Sequence, residues 1–336
     1  MEEKLKKKLL SAIQKFKKSR ILIIGDLILD RYLSGEVSRI SPEAFVLVVE
    51  VKKNWIVPGG AGNVVNNLCS LGAQVIISGL IGKDYYGDKI KKILKAEGAD
   101  VSGIFVDNNR PTILKTRIIA RNQQVVRVDV ETRKKIHDEL ICKIQKFINS
   151  KKNEIDAIIL SDYGKGLITP EIIESAVKIK NEKNIPLVVD PKIEHFKYYK
   201  NITIMTPNKK EASEGSGLAI TDERSLYKVG KTIKKELNLE ALLITRSEEG
   251  MTLFEDDCIF NIPTEATEVY DVTGAGDTVV SVLTLCLSCG CDFKSSAVLA
   301  NIAAGEVVKE LGTTTIKPNQ LINLVKNYKY KAIVKL

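Results

Sequence analysis

Residues 270–287 read YDVTGAGDTVVSVLTLCL, and the core of that stretch, Asp271-Val-Thr-Gly-Ala-Gly-Asp277, decides the fold. Three small residues, Gly274, Ala275 and Gly276, stand before the apolar run TVVSVLTLCL. A glycine turn feeding a buried helix leaves backbone N–H groups facing outward, and the positive end of the helix dipole adds to them. The turn is therefore an anion site. Asp277 is a poor anion ligand but a good base: beside a bound phosphate it can take the proton of an attacking hydroxyl. The plainer reading is a glycine turn with an acidic helix cap. A lone G-x-G is weak, whereas the whole D-x-T-G-A-G-D string before a helix is specific.

Outward from this string, short apolar runs bounded by turn residues alternate with helical patterns. The runs at 21–25, 75–81, 157–161, 187–190, 203–206 and 242–245 read as buried strands. Helical patterns cover 64–71, 86–96, 170–182, 207–214 and 222–236, and the end of the chain is helical at 276–289, 293–310 and 318–327. Such alternation predicts an α/β fold with a mostly parallel central sheet flanked by helices. No low-complexity linker divides residues 1–336, so one domain is expected. Two segments break the order. FVLVVEV (45–51) and TILKTRIIARNQQVVRVDV (112–130) are rich in β-branched residues without helical period, the second reading as two strands joined around Arg121–Gln124. They predict a small β lid, from about 31–52 and 111–130. Their apolar residues Val46, Val48, Ile113, Ile118, Val126 and Val128 would leave open edges and an exposed face, which a second copy can cover. A homodimer through the lid is expected.

A second small-residue turn, Pro58-Gly-Gly-Ala-Gly-Asn63, opens another helix. Gly59 and Gly60 allow close backbone approach to a ligand, and Asn63 offers both donor and acceptor. The strand at 21–25 leads to Asp26 and Asp30; an ion pair with Arg31 or Arg39 is the plain reading of Asp30. Other nucleotide motifs fail. Gly82–Gly87 has P-loop glycine spacing, but Asp88 follows where lysine is required. Gly60-Ala-Gly62 lacks the third glycine of a dinucleotide fingerprint and does not follow a clear strand.

The two turns together resemble the two signatures of the ribokinase-like (PfkB) carbohydrate kinases. The resemblance implies an ATP-dependent kinase in which Gly274, Ala275 and Gly276 form the anion hole and Asp277 is the catalytic base. It implies that Asp30, Gly59, Gly60 and Asn63 contact the acceptor sugar. Thr206-Pro-Asn-Lys-Lys-Glu211 matches the family's N-x-x-E element; Asn208 and Glu211 would hold Mg²⁺ and the triphosphate, largely through water. Thr245, Gly250 and Asn301 are nucleotide contacts by position. Asp271 and Thr273 resemble residues that help bind a monovalent cation in some members.

Longer stretches narrow the resemblance: 25–44, RNQQVVRVD (121–129), SDYGKG (161–166), VDPK (189–192) and 270–278. They are similar to the heptose 7-phosphate kinase branch, which phosphorylates the anomeric hydroxyl of D-glycero-D-manno-heptose 7-phosphate to give the 1,7-bisphosphate. Phe45, Gly62 and EGSG (214–217) depart from that pattern. Many such kinases continue into a nucleotidyltransferase domain, and the expectation here is a stand-alone kinase. Arg121, Gln123 and Lys192 are candidates for the acceptor side, the two cations for its phosphate. A PfkB kinase for another sugar or nucleoside, and a catalytically silent sugar- or nucleotide-binding regulator, are the alternatives.

Composition bounds the partners. At 44% hydrophobic and 28% charged the chain is ordinary for a globular protein. No stretch reaches the roughly 18 apolar residues that span a bilayer, and the lysine-rich start is no secretory signal; a cytoplasmic protein is expected. Of the net charge of +9, residues 1–20 carry +6, which leaves too little on the body for a nucleic-acid footprint. Leu5, Leu9, Ile13 and Phe16 share one face of a terminal helix, which favours packing on the domain over a membrane surface. Six cysteines include Cys286-x-x-Cys289-x-Cys291. Neither His137 nor His195 lies nearby to complete a metal site, and buried reduced thiols are expected.

Overall fold

The computed structural model describes residues 2–121, 123–132, 134–256, 258–266, 268–310, 312–328 and 334–335. Asn122, in the RNQQ stretch, lies outside them. The chain opens with α1 (Glu2–Lys15), then β1 (Arg20–Gly25), β2 (Leu27–Ile40), β3 (Leu47–Gly60), α2 (Ala61–Ser70), β4 (Gln74–Gly82), α3 (Tyr85–Ala96) and β5 (Asp100–Asp107). Next come β6 (Ile113–Ala120), β7 (Gln123–Val130), α4 (Asp138–Lys151), β8 (Ala157–Ser161), α5 (Pro170–Lys183) and β9 (Leu187–Asp190). After them stand β10 (Ile204–Met205), α6 (Lys209–Ser216), α7 (Glu223–Glu236), β11 (Ala241–Thr245), β12 (Met251–Glu255) and β13 (Cys258–Ile262). The end is α8 (Ala275–Ser288), α9 (Phe293–Val307), α10 (Pro318–Asn327) and β14 (Val334–Lys335).

The main sheet runs β5-β4-β1-β8-β9-β10-β11 in parallel, then β12-β13-β14 antiparallel. Its central strands are buried on both faces, so they read as unbroken apolar runs. Alternate side chains feed two cores. Ile21 and Ile23 join Leu9, Val64, Ile90, Val282 and Val298 on one face. Leu22 and Ile24 join Ile144, Ile172, Ala212 and Leu226 on the other. The terminal helix packs as expected: Leu9, Ile13 and Phe16 are buried, and Lys8 pairs with Asp292. Of the cysteines only Cys286 is fully buried; Cys69, Cys258, Cys289 and Cys291 are half-buried and Cys142 is exposed. Among the described residues no helix is long and apolar enough to cross a membrane.

The second sheet has the order β3-β2-β6-β7. It begins earlier and ends later than the 31–52 boundary read from sequence, because β2 runs straight on from Asp26 and β3 continues to Gly60. Gly60-Ala-Gly62 therefore does follow a strand, contrary to the sequence reading; the missing third glycine alone excludes a dinucleotide fingerprint. In register, Val57, Asp30, Lys115 and Asp129 form one row across the lid, and Trp55, Tyr32, Arg117 and Arg127 form the next row on the same face. Arg31, Thr116 and Val128 occupy the opposite face. Ile113 and Val48 are more covered than expected, while Phe45, Val46, Leu47, Val126 and Val128 are exposed.

Candidate active site

In the sheet order the chain leaves β1 toward β4 on one side and β8 on the other, so the carboxyl ends of β1 and β8 form the crevice where open α/β sheets bind ligands. Acidic residues follow directly: Asp26 after β1, Asp162 after β8 and Asp190 at the end of β9. Asp277 reaches the same place from the first turn of α8.

Asp277 is buried and doubly held. Asn63 Nδ2 donates to its Oδ2 at 2.6 Å, and the Tyr163 hydroxyl donates to its Oδ1 at 2.7 Å. Burial pushes its pKa up to about 6; the two donors pull down against it, and Asp30 pushes further up. A carboxylate so placed is ionised near neutral pH yet basic enough to accept a proton. Gly274 caps α8 in the left-handed region, at φ +84°. A Cβ there would stand 2.8 Å from Asn63 Nδ2, so the glycine is also what lets Asn63 reach Asp277. Ala275 N–H is engaged with Val272 O at 3.2 Å. A Cβ on Gly276 would meet nothing within 4 Å, so the space beside this residue in the first turn of α8 is open.

The acceptor candidates Asp30, Gly59, Gly60 and Asn63 come together. Gly59 pairs with Ile28 across the strands, and a Cβ on it would collide with Asp30 Oδ2 at 2.1 Å. Asn63 Oδ1 is buried without a hydrogen-bond partner among the described residues, an open acceptor beside Asp277. Asp30 does pair with an arginine, but with Arg117 at 2.5 Å rather than Arg31 or Arg39. Arg117 in turn lies over the ring of Tyr32, which stacks on Trp55.

The other acceptor candidates are not brought to this row. Arg121 and Gln123 lie at the β6–β7 turn, level with Gly35 of β2, and about 3.3 Å per residue puts Arg121 roughly 20 Å of strand beyond Lys115. Lys192 follows Asp190 at the end of β9, and its side chain lies by Gly164, next to Tyr163: a Cβ on Gly164 would stand 3.3 Å from Lys192 Cγ. This spacing does not bring Arg121 and Gln123, expected near the acceptor, into the Asp30 row of their own chain.

Asn208 and Glu211 close a capping box on α6: Asn208 Oδ1 accepts from Glu211 N–H at 2.9 Å, and Glu211 Oε2 accepts from Asn208 N–H at 3.0 Å. Thr245 bridges to Asn208 across β11, with its N–H donating to Pro207 O. Gly250 sits in a tight turn at φ +84°, its oxygen accepting from Arg246 N–H. Asn301 is buried and donates to Pro263 O at 2.7 Å. Asp271 ties two loops, Oδ1 accepting from Thr273 N–H and Oδ2 from Gly312 N–H.

The sequence reading missed Asp26 as a hub, Tyr163, and the buried set behind them. Asp26 accepts from the N–H groups of Tyr163, Lys165 and Leu167. Asp162 accepts from Gly164 N–H at 2.7 Å and the Tyr199 hydroxyl, and contacts His195 Nδ1 at 2.5 Å. The signal was available: Asp162-Tyr163-Gly164 follows a buried strand just as Asp26 does, at the same edge of the sheet.

Comparison with known proteins gives the family and the fold. The pfkB family carbohydrate kinase model matches residues 18–320. The bifunctional protein HldE of Geotalea uraniireducens (strain Rf4) is 46% identical over 318 residues, covering 94% of this chain and 65% of that protein. The HldE protein of Geobacter sulfurreducens is 45% identical over 302 residues, covering 90% of this chain and 62% of that protein. The chain thus spans less than two thirds of the length of these relatives. Among solved structures, Arabidopsis thaliana ribokinase complexed with ribose and ATP has a TM-score of 0.72 at 18% identity, covering 92% of this chain and 99% of that one. Escherichia coli phosphofructokinase-2 in complex with potassium has a TM-score of 0.76 at 16% identity, with the same coverages. These two likenesses show a shared ribokinase-like fold.

Proposed function

The chain belongs to the pfkB family of carbohydrate kinases, and from that membership we propose that it transfers the γ-phosphoryl group of ATP to the anomeric hydroxyl of D-glycero-D-manno-heptose 7-phosphate. The observation that carries the chemistry is the buried Asp277 carboxylate, gripped by Asn63 and Tyr163 from segments 214 and 114 residues away. The acceptor comes from the heptose-kinase-like stretches and from the kinship to HldE.

The acceptor sugar lies against Asp30, Gly59, Gly60 and Asn63. Its anomeric hydroxyl donates to Asp277, which takes the proton as the oxygen attacks in line. The start of α8 receives the transferred group, where Gly276 leaves open space. Thr245, Gly250 and Asn301 line the nucleotide side, and Lys192 stands beside the polyphosphate. Asn208 and Glu211 suit a magnesium ion held through water: the capping box commits one carboxylate oxygen of Glu211 and leaves Oε1 for a hydrated cation, which keeps most of its waters. When bound, the ion supplies charge neutralisation on the phosphates. Asp271 and Thr273 shape the loop where a monovalent cation would act. Positioning and electrostatics supply most of the acceleration.

A coupled ADP-release assay over a sugar panel tests the assignment. Heptose 7-phosphate is expected to give the highest kcat/KM, by at least ~10-fold over unphosphorylated heptose, ribose or fructose 6-phosphate, as the loss of one charged hydrogen bond predicts. Ribose or fructose 6-phosphate in first place leaves only the family. No ADP release with any acceptor favours a silent regulator.

The same reading includes a homodimer through the lid. Phe45 and Val46 in the β2–β3 turn and Val126 and Val128 on β7 are exposed, at 95%, 56%, 45% and 49%, beside a sheet with open edges. Val128 lies on the face opposite Asp30, so Val128→Asp is expected to weaken association without entering the acceptor row. Light scattering at micromolar concentration checks this; a wild-type monomer with full activity removes the dimer.

A further inference from the structure

We propose that the root of the lid carries a subsite for a phosphomonoester on the acceptor, centred on Lys115 with Arg117 and Arg127 beside it. The inference rests on the reading that this site phosphorylates a sugar phosphate, and it names the residue that selects one.

Lys115 stands between Asp30 and Asp129 in one row of the lid sheet, and its side chain shares their face. Both neighbours would be natural partners for its ammonium. Each is taken by an arginine from the next row instead. Arg117 Nη1 reaches Asp30 Oδ1 at 2.5 Å. Arg127 binds Asp129 through two bonds, Nε to Oδ1 at 2.9 Å and Nη2 to Oδ2 at 3.0 Å. Planar, bidentate guanidinium–carboxylate pairs hold their geometry better than a flexible ammonium does. Glu131, two residues beyond Asp129, is held by Lys165.

Lys115 is left as a half-buried cation with no ion pair within 4 Å among the described residues. Burial, with Lys165 and Arg127 close by, pushes its pKa down, against the pull of Asp30 and Asp129. Holding a charge there without a counter-ion is unfavourable. A bound anion removes the penalty, and Lys115 is the cation of these two rows that no carboxylate already neutralises, with the outer N–H groups of Arg117 and Arg127 beside it.

The position suits an acceptor. Asp30 and Lys115 are neighbouring strand residues, about 4.8 Å apart at Cα. Asp30 also acts on Asp277 electrostatically, so it lies on the catalytic side of the lid. A sugar that presents one hydroxyl to Asp277 and others to Asp30 would project a distal phosphate along the lid face toward Lys115. The stacked Tyr32 and Trp55 rings, 5.0 Å apart, wall that face and fix Arg117 in place. Arg121 and Gln123, at the β6–β7 turn, stand roughly 20 Å of strand away from Lys115.

The test compares kcat/KM for heptose 7-phosphate and unphosphorylated heptose in wild type, Lys115→Met and Lys115→Arg. Methionine keeps the apolar stem and removes the charge. Lys115→Met is expected to lose ~10- to 100-fold on the phosphorylated acceptor, the loss of one or two charged hydrogen bonds. The loss on unphosphorylated heptose should be much smaller, and Lys115→Arg should restore part of the preference. An unchanged KM for ATP and an unchanged melting temperature separate this from misfolding. The proposal is overturned if Lys115→Met loses both acceptors alike, if it loses neither, or if Arg121→Ala abolishes the preference instead. A wild type that prefers another sugar phosphate defeats the heptose assignment only: Lys115→Met must then lose the preference for that phosphorylated acceptor. A wild type indifferent to acceptor phosphorylation defeats the subsite.

Discussion

Replacing Asp277 by asparagine is expected to lower kcat by at least ~10²-fold while ATP still binds, because the substitution keeps shape and removes basicity. Near-wild-type turnover in the purified variant would strip Asp277 of its role. The pH profile adds a second measurement. Free Asp277 titrates at about 6 because burial disfavours its charge. A general base works only when deprotonated, so kcat/KM should fall about tenfold per pH unit below 6 and level off above it. The asparagine variant should show no such limb. A residual rate of ~10³-fold or more over solution is still expected, since the anion hole and the positioned acceptor remain.

How much of this was legible before the structure depends on where each partner lies. The strands at 21–25, 157–161 and 187–190 were plain because both faces are buried and every residue is apolar. β2 was not, because one of its faces carries function: Asp30, Tyr32 and Ser34 interrupt any apolar run, and Gly35 and Glu36 follow. The sequence reading has no strand at β12 or β13 and no helix at α4, whose two buried residues, Ile144 and Ile148, are too few to show a clear stripe. In the site, Asp277 and Asn63 stood out because small-residue turns before helices carry a local pattern. Tyr163 did not: its place after a buried strand marks the loop, but its partner is 114 residues away and nothing local names it. Lys115 was hidden for a different reason. Its meaning depends on which arginines claim Asp30 and Asp129, and only strand register decides that.

The loop that carries Tyr163 is where stability and catalysis meet, and Asp26 is its anchor. The Asp26 carboxylate accepts from Tyr163 N–H and Lys165 N–H at 3.0 Å and from Leu167 N–H at 3.2 Å. Its own backbone ties β8 to the start of α2, donating to Ser161 O and accepting from Ala61 N–H. Arg110 supports the loop from outside through Lys165 O. Asp26→Ala leaves three amide N–H groups without their acceptor, at about 1–3 kcal/mol for each that stays buried. It also removes a buried charge. Burial and the neighbouring Asp162 push the Asp26 pKa up to about 6, against the pull of the three amides. Because the folded value is raised, this contribution to stability is full below the unfolded value near 4 and is lost as pH rises through 6. The two effects therefore add differently at different pH. At pH 5 the wild type holds a largely neutral carboxyl, so alanine removes acceptors and relieves little, and a loss of roughly 3 kcal/mol or more is expected. At pH 8 the same substitution also relieves a buried charge, so the loss should be smaller. Asp26→Asn keeps one acceptor oxygen and carries no charge, so it should lie between alanine and wild type at pH 5. Urea unfolding at both pH values checks the ordering. An alanine variant as stable as wild type at pH 5, or one that loses more at pH 8 than at pH 5, would show that Asp26 does not hold the loop. Where the loop is released, Tyr163 no longer steadies Asp277, and kcat should fall about tenfold even in the fraction that remains folded, as one lost hydrogen bond at the base implies.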